Sequence, residues 1–313
     1  MPWGNYLEDR SQHLSIKQKL CPCREAPIFW SVNWAAALLH LFNTVATIGL
    51  WATSDDKDQV FKLSENYAPW VPLTNGTCPQ NAFKVSDEWC VSKLSEDTTE
   101  LSLWWLVIAF HFLSFAFQTL AMADWDITCC KLQCKRKRYV SEIREDGTNS
   151  LRMIEYSISA TLMQISIALI LGVWDRLTIV GIAFLTAVTM LQGLVAEKIK
   201  YTDIEMAWVS HLSGWVSMGG VWFIIGRQFL FTIENSGENP PPDFVYIIVT
   251  VIALLYIGFG LVQLVELCLT RKSKSAVRHE RVELAYCTLS LVSKTFLGWM
   301  IFANALSGMA ENN

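Results

Sequence analysis

Seven stretches of this chain, approximately residues 28–52, 100–123, 151–173, 177–196, 204–226, 244–269 and 282–307, are apolar and roughly 20 or more residues long. Each is long enough to cross about 30 Å of hydrocarbon. A backbone in that medium has no water to satisfy its N–H and C=O groups, so it must close its own hydrogen bonds as helix or as a closed barrel. Apolar runs of this length select helix. All nine prolines lie outside the seven runs, which predicts uninterrupted helices rather than the broken ones of secondary transporters. With 52% hydrophobic against 17% charged residues, the chain is too apolar for an ordinary soluble domain of 313 residues. The expected fold is an all-α membrane protein, a seven-transmembrane-helix bundle.

The charges between the spans orient the bundle. Residues 1–27 and the second, fourth and sixth connections carry seventeen Lys and Arg; the other connections carry six. Because Lys and Arg collect on the cytoplasmic side, this predicts a cytoplasmic N-terminus and an extracellular or lumenal C-terminus. The expected organisation is a cytoplasmic tail 1–27, a membrane domain 28–307 and an outer tail 308–313. Residues 1–27 are polar, so no cleavable signal peptide is expected. The first outer loop, 53–99, is long enough to fold, and a short β-structured cap is expected there. It holds Asn75 in an Asn-Gly-Thr glycosylation sequon, and Cys78 and Cys90, which an oxidising compartment would join as a disulfide. Cys21, Cys23, Cys129, Cys130 and Cys134 fall on the cytoplasmic side and read as reduced thiols or palmitoylation sites. No basic stripe with interleaved aromatics appears, so no nucleic-acid partner is expected.

Lys294 lies near the middle of the seventh span. A free ammonium at that depth costs at least ~2.5–3.5 kcal/mol, and it is too deep to snorkel to a headgroup. Two readings follow: a partnered ion, or a covalent imine to an aldehyde, since desolvated lysines become amine nucleophiles. Glu155 on the third span is the candidate partner. At about 100° per residue, Arg152, Glu155, Ser159 and Ser166 share one face, and Glu283, Ser290 and Lys294 share another. For Arg152 and Glu283, solvation at the interface and a buried role both remain open.

Other spans add polar groups to the interior. His40 shares a face with Asn33, Asn43, Thr44 and Thr47; His111 shares one with Trp104, Ser114 and Gln118; His211 stands beside Trp208 and Trp215. Lone helical histidines are mostly hydrogen-bonded packing. The H-x-x-x-H pair of seven-span metal hydrolases is missing, so neither a metal site nor an enzymatic activity is expected. Tyr156, Met190, Trp215, Tyr256, Phe259 and Trp299 sit at depths suited to walling a long conjugated ligand, although each alone reads as core.

Seven spans with a lysine in the middle of the last resemble a retinal-binding rhodopsin. The inverted orientation, the run Asn149-Ser-Leu-Arg152-Met-Ile-Glu155-Tyr156-Ser-Ile-Ser-Ala160 and the run Ser290-Leu-Val-Ser-Lys294 narrow this to a resemblance to the heliorhodopsins. The resemblance implies all-trans retinal as a protonated Schiff base on Lys294, with Glu155 as counterion and Ser290 as a hydrogen-bonding neighbour. Tyr156, Ser159, Met190, Trp215, Tyr256 and Phe259 would complete the cofactor site. His40, Asn43 and His111 would form an inner polar cavity that accepts the proton, with Glu197, Glu283 and Arg152 toward the cytoplasm. It also implies a homodimer in the lipid bilayer. Loop 124–150 is longer and more basic than is usual for the family, which suggests a lipid or cytoplasmic signalling partner.

Ser166 and Ser290 stand where light-driven proton pumps carry carboxylates, which argues for a slow signalling photocycle without pumping. A light-gated proton or ion conductor using Glu197, Glu266 and Glu283 is the alternative. A non-retinal transporter or enzyme with a Lys294–Glu155 ion pair is the remote one.

Overall fold

The computed structural model describes residues 28–54, 60–67, 70–72, 77–78, 82–84, 88–92, 94–126, 142–237, 240–270 and 274–311. Among them are seven helices long and apolar enough to span a membrane: α1 (Ile28–Thr53), α2 (Leu103–Asp126), α3 (Ser150–Ile170), α4 (Arg176–Ile199), α5 (Ile204–Asn235), α6 (Asp243–Thr270) and α7 (Ala276–Glu311). Each packs against the next in sequence, and α7 returns to α1, closing the ring; α2 also meets α7, and α3 meets α6, across it. The chain is a multi-pass membrane protein.

Side-chain burial follows from the solvent this fold requires. Large apolar residues such as Val216, Phe223 and Phe184 are 77%, 73% and 69% exposed, the pattern of a surface that meets lipid. Most of the buried polar and charged groups lie between the helices, including His40, His111, Glu155, Arg152, Glu197, Glu266, Glu283 and Lys294. An apolar core that includes Phe110, Met163, Ile167, Ile182, Val221, Ile252 and Leu297 packs between the same helices.

Three helix starts are capped by side chains accepting a backbone N–H. Asn149 accepts from Arg152 N, Asp175 from Thr178 N and Asp203 from Met206 N. Two helices outrun their apolar segments by six or more residues at one end. α5 continues nine residues past the expected end at 226, and α7 begins at Ala276 rather than 282. Hydropathy marks only the part that needs lipid, whereas a helix continues wherever propensity and packing allow.

Before α2 the chain forms strands. β1 (Phe61–Tyr67) pairs antiparallel with β5 (Leu94–Leu101), and β2 (Trp70–Pro72), β4 (Trp89–Ser92) and β3 (Ala82–Lys84) form a second antiparallel sheet with β4 central. β5 therefore occupies 100 and 101, where the second span was expected to begin. A disulfide joins Cys78 to Cys90. Ser64 N donates to Trp174 O at 2.9 Å, and Arg176 pairs with Glu65 at 3.0 Å, so β1 is tied to the α3–α4 turn. Asn75 and the five cysteines at 21, 23, 129, 130 and 134 lie outside the described residues.

At the opposite end, a turn of π-helix (Glu142–Asp146) packs on α7 and leads through Gly147 into α3. Gly147 has φ +64°, and a Cβ there would stand 2.7 Å from the His279 ring. Gly147→Ala should therefore lower stability by more than the roughly 1–2 kcal/mol of the left-handed conformation alone. Thermal denaturation in detergent measures this, and His279→Ala should recover the steric part.

Candidate functional site

The functional groups gather on α3, and the order of polar residues along it decides what each level holds. Five residues into the helix, the Glu155 carboxylate faces α7, where Lys294 Nζ lies 2.5 Å from its Oε1. Both side chains are almost fully buried, at 4% and 3% exposure. A third helix completes the group: Ser114 Oγ on α2 donates to Glu155 Oε1 at 2.7 Å and lies 2.5 Å from Lys294 Nζ. A carboxylate in this position holds positive charge on the lysine nitrogen, because separating the pair would strand two charges in an apolar interior.

Beyond the nitrogen the surroundings turn apolar. Lys294 lines a small apolar compartment together with Tyr156, Ser159, Met163, Met190, Tyr256, Phe259 and Ser290. Tyr156, Met190, Tyr256 and Phe259 also line a second, larger compartment, which extends to Trp215 and Met218 on α5. The two adjoin across those four shared side chains, a slot between α3, α4, α5 and α6 with α7 along one side. Its tyrosines are pinned by their hydroxyls: Tyr156 donates to Tyr286 O at 2.9 Å and Tyr256 to Ala160 O at 3.1 Å. Ser159, fully buried beside the lysine, has a hydroxyl without a hydrogen-bond partner among the described residues.

On the α1 side, His40 Nδ1 and His111 Nδ1 stand 3.2 Å apart, both fully buried. Two nitrogens at that distance share one proton, since one must donate and the other accept. His111 rests against Gly298, one turn past Lys294, and Asn43 donates to Thr295 Oγ1 at 3.1 Å, the residue after Lys294. His40, Asn43 and His111 thus converge on the lysine turn.

One turn before Glu155, Arg152 is an ion-pair centre. Its guanidinium bonds Glu197 on α4 at 2.5 Å and Glu283 on α7, and lies 4.1 Å over the Tyr286 ring. Asn149 adds bonds to both carboxylates. Of the two readings left open for Arg152 and Glu283, this geometry is the buried one.

Four features differ from the sequence reading or extend it. Trp299, expected at cavity depth, is 39% exposed and hydrogen-bonds Asn43 at 3.3 Å. Five residues past Lys294, it points about 140° away around the helix. Lys200, read as a loop charge, is fully buried and joins Glu266 at 2.6 Å and Gly147 O at 2.5 Å. Its position after the last apolar residue of α4 hid this. Ser114 carries no sequence mark as a lysine neighbour beyond sharing the His111 face. Tyr286, which lies over Arg152 and lines the cavity, was missed, although its place eight residues before Lys294 puts it within about 80° of the same stripe. No group of metal-binding side chains occurs among the described residues.

Comparison with known proteins gives a match to the family model described as heliorhodopsin over residues 29–306. Among solved structures, the chain is similar to the transmembrane domain of the Salpingoeca rosetta rhodopsin phosphodiesterase, at TM-score 0.58 and 14% identity, covering 93% of this chain and 88% of that one. It is also similar to schizorhodopsin 4, at TM-score 0.50 and 14% identity, covering 88% and 98%. At these identities the likeness concerns the fold. Comparison with curated proteins gives no match.

The buried Lys200–Glu266 pair supplies a direct test of the interior. Lys200→Met, which leaves Glu266 buried without its cation, should cost about 3–5 kcal/mol in an equilibrium denaturation experiment. The Lys200→Met/Glu266→Leu double variant should recover most of that loss. Equal losses in the two would mean that the loss does not come from a stranded Glu266 carboxylate.

Proposed function

The chain belongs to the heliorhodopsin family, and on that premise we propose that it is a retinal-binding photoreceptor with Lys294 as the attachment point and Glu155 as the counterion. The observation that carries this reading is the Lys294–Glu155–Ser114 group set at one end of an apolar, aromatic-walled slot. The residues fit an elongated polyene aldehyde. The lysine supplies the amine, Tyr156, Met190, Tyr256, Phe259 and Trp215 supply the walls, and the unpartnered Ser159 hydroxyl lies beside the linkage. When bound as a protonated Schiff base, all-trans retinal supplies visible absorption and light-driven isomerisation.

The protein's own groups then manage one proton. Glu155 holds it on the Lys294 nitrogen in the dark, with Ser114 fixing the carboxylate oxygen that faces it. Weakening of that pair after light leaves the His40–His111 pair as the nearby buried acceptor, at the lysine turn and away from bulk water. A proton kept inside the bundle is a signal rather than a current. Ser166 and Ser290 offer no carboxylate relay, and Glu197, Glu283 and Glu266 are each held in an ion pair with Arg152 or Lys200. A conducting cycle would have to break those pairs, so the sensing reading is favoured over conduction.

The excess of Lys and Arg supports a cytoplasmic N-terminus, which sets the Arg152 and Lys200 level on the cytoplasmic side and the sheets outside. Rearrangement at that level would be read by a cytoplasmic partner, and the family resemblance supports a homodimer.

Membranes expressed with all-trans retinal should show a visible band that hydroxylamine bleaches and Lys294→Ala lacks. Absence of the band in folded wild-type protein would end the retinal reading. Glu155→Gln should red-shift the pigment or deprotonate it at neutral pH, because the carboxylate stabilises the charged nitrogen. An unchanged spectrum and titration would assign the counterion elsewhere. Under voltage clamp, illumination should evoke no steady current; a steady current would establish the conducting alternative.

A further inference from the structure

The slot ends, away from Lys294, at a chain of hydrogen bonds that the photoreceptor reading does not use. Trp215 Nε1 donates to His211 Nε2 at 2.9 Å, His211 Nδ1 lies 2.8 Å from Gln263 Oε1, and Gln263 Nε2 donates to Gly193 O at 2.9 Å. The two ends dictate its direction. An indole N–H can only donate and a backbone carbonyl can only accept. Gln263 must therefore turn its amide nitrogen to Gly193 and its oxygen to His211. His211 must carry its hydrogen on Nδ1 and keep a lone pair on Nε2 for the indole. An imidazolium would set N–H against N–H at Trp215. His211 and Gln263 are 3% and 6% exposed, so breaking any link strands a buried polar atom, a loss larger than the bond itself.

What this chain grips is the Trp215 ring. Its six-membered ring lies against Gly260 of α6, where any Cβ would overlap the indole. Gln263, which anchors the far side of His211, is three residues along the same helix, so one face of α6 seats the ring and also orients its donor. Gly193 on α4 receives the last hydrogen bond, with room beside it only for ordinary contact: a Cβ there would be 3.5 Å from Gln263 Nε2. Three helices thus hold one aromatic side chain by its N–H and by its six-membered ring. Trp215 lines only the larger compartment and Lys294 only the smaller, so the clamped ring stands at the end remote from the lysine.

We propose that His211 is a positioning residue. Through its Nε2 hydrogen bond it holds Trp215 as a rigid far wall of the slot, and so fixes the room and the indole orientation that the remote end of a retinal attached at Lys294 meets. The colour consequence rests on the photoreceptor reading; the hydrogen-bond chain does not.

Two measurements test it. In full-length protein labelled with ¹⁵N-histidine, with and without retinal, magic-angle-spinning spectra should show His211 protonated at Nδ1 and unprotonated at Nε2. The Nε2 resonance should move when Trp215→Phe removes its donor. An Nε2–H tautomer, or an Nε2 signal indifferent to Trp215→Phe, overturns the proposal. In the pigment, His211→Phe and Trp215→Phe should each shift the absorption maximum, and the double variant should coincide with Trp215→Phe. His211→Asn, which keeps an acceptor and a donor, should stay closer to wild type than His211→Phe. Independent, additive shifts would mean that His211 does not act through Trp215. A wild-type protein without a visible band removes the retinal reading and its colour consequence together, while the nitrogen spectra still decide whether His211 holds the indole.

Discussion

A charge inside a lipid-facing bundle has no solvent to retreat to, so it must be matched across a helix interface. The Lys294–Glu155 pair is the central instance here. It joins α7 to α3 through the middle of the protein, and Ser114 of α2 shares both partners. Because the pair is matched by geometry, it also fixes the rotation of α3 and α7. Turning either helix by one residue, about 100°, would face a charge to lipid. The apolar slot, the histidine pair and the ion pairs of Arg152 and Lys200 all take their places relative to that setting.

α3 then works as a ladder of polar levels. Arg152 and Glu155, three residues apart, point into the same interior, yet one binds two carboxylates and the other binds one lysine. The levels are close enough for a change at Lys294 to be felt at Arg152, because both sit on one rigid helix, and Glu283 and Lys294 likewise share α7. Beyond Arg152, Lys200 carries the same principle to the end of the bundle, holding both Glu266 and the Gly147 carbonyl that leads into α3. A change at the lysine has a physical route outward through these pairs, along the two helices that carry them.

Much of this was legible in the sequence wherever one helix carried the whole argument. Depth and phase singled out Lys294 and Glu155, since an ion in the middle of an apolar run has few bland explanations. The large side chains of α3, α4, α5 and α6 that wall the slot were readable by depth. Legibility failed where the decisive fact was a contact between helices. Lys200 looks like any cation just beyond a span until Glu266 of α6 is placed against it. Trp299 had the right depth but the wrong phase, and its hydrogen bond to Asn43 on α1 has no trace in the local pattern. His211 stood beside Trp215 in the sequence, but its bond to Gln263, fifty-two residues away, gives the pair its direction.

The sequence by itself determined seven membrane helices, a buried lysine in the last and a carboxylate on the third able to answer it. It could do so because hydrocarbon imposes its rules residue by residue: apolar length sets a span, and a charge in its middle demands a reason. The tertiary structure alone decided which polar groups meet. It brought Ser114 to the ion pair, gave Arg152 two carboxylates, buried Lys200 and joined Trp215, His211, Gln263 and Gly193 into one oriented chain. Those choices depend on how helices rotate and pack against one another, and that is settled by the fit of all seven at once.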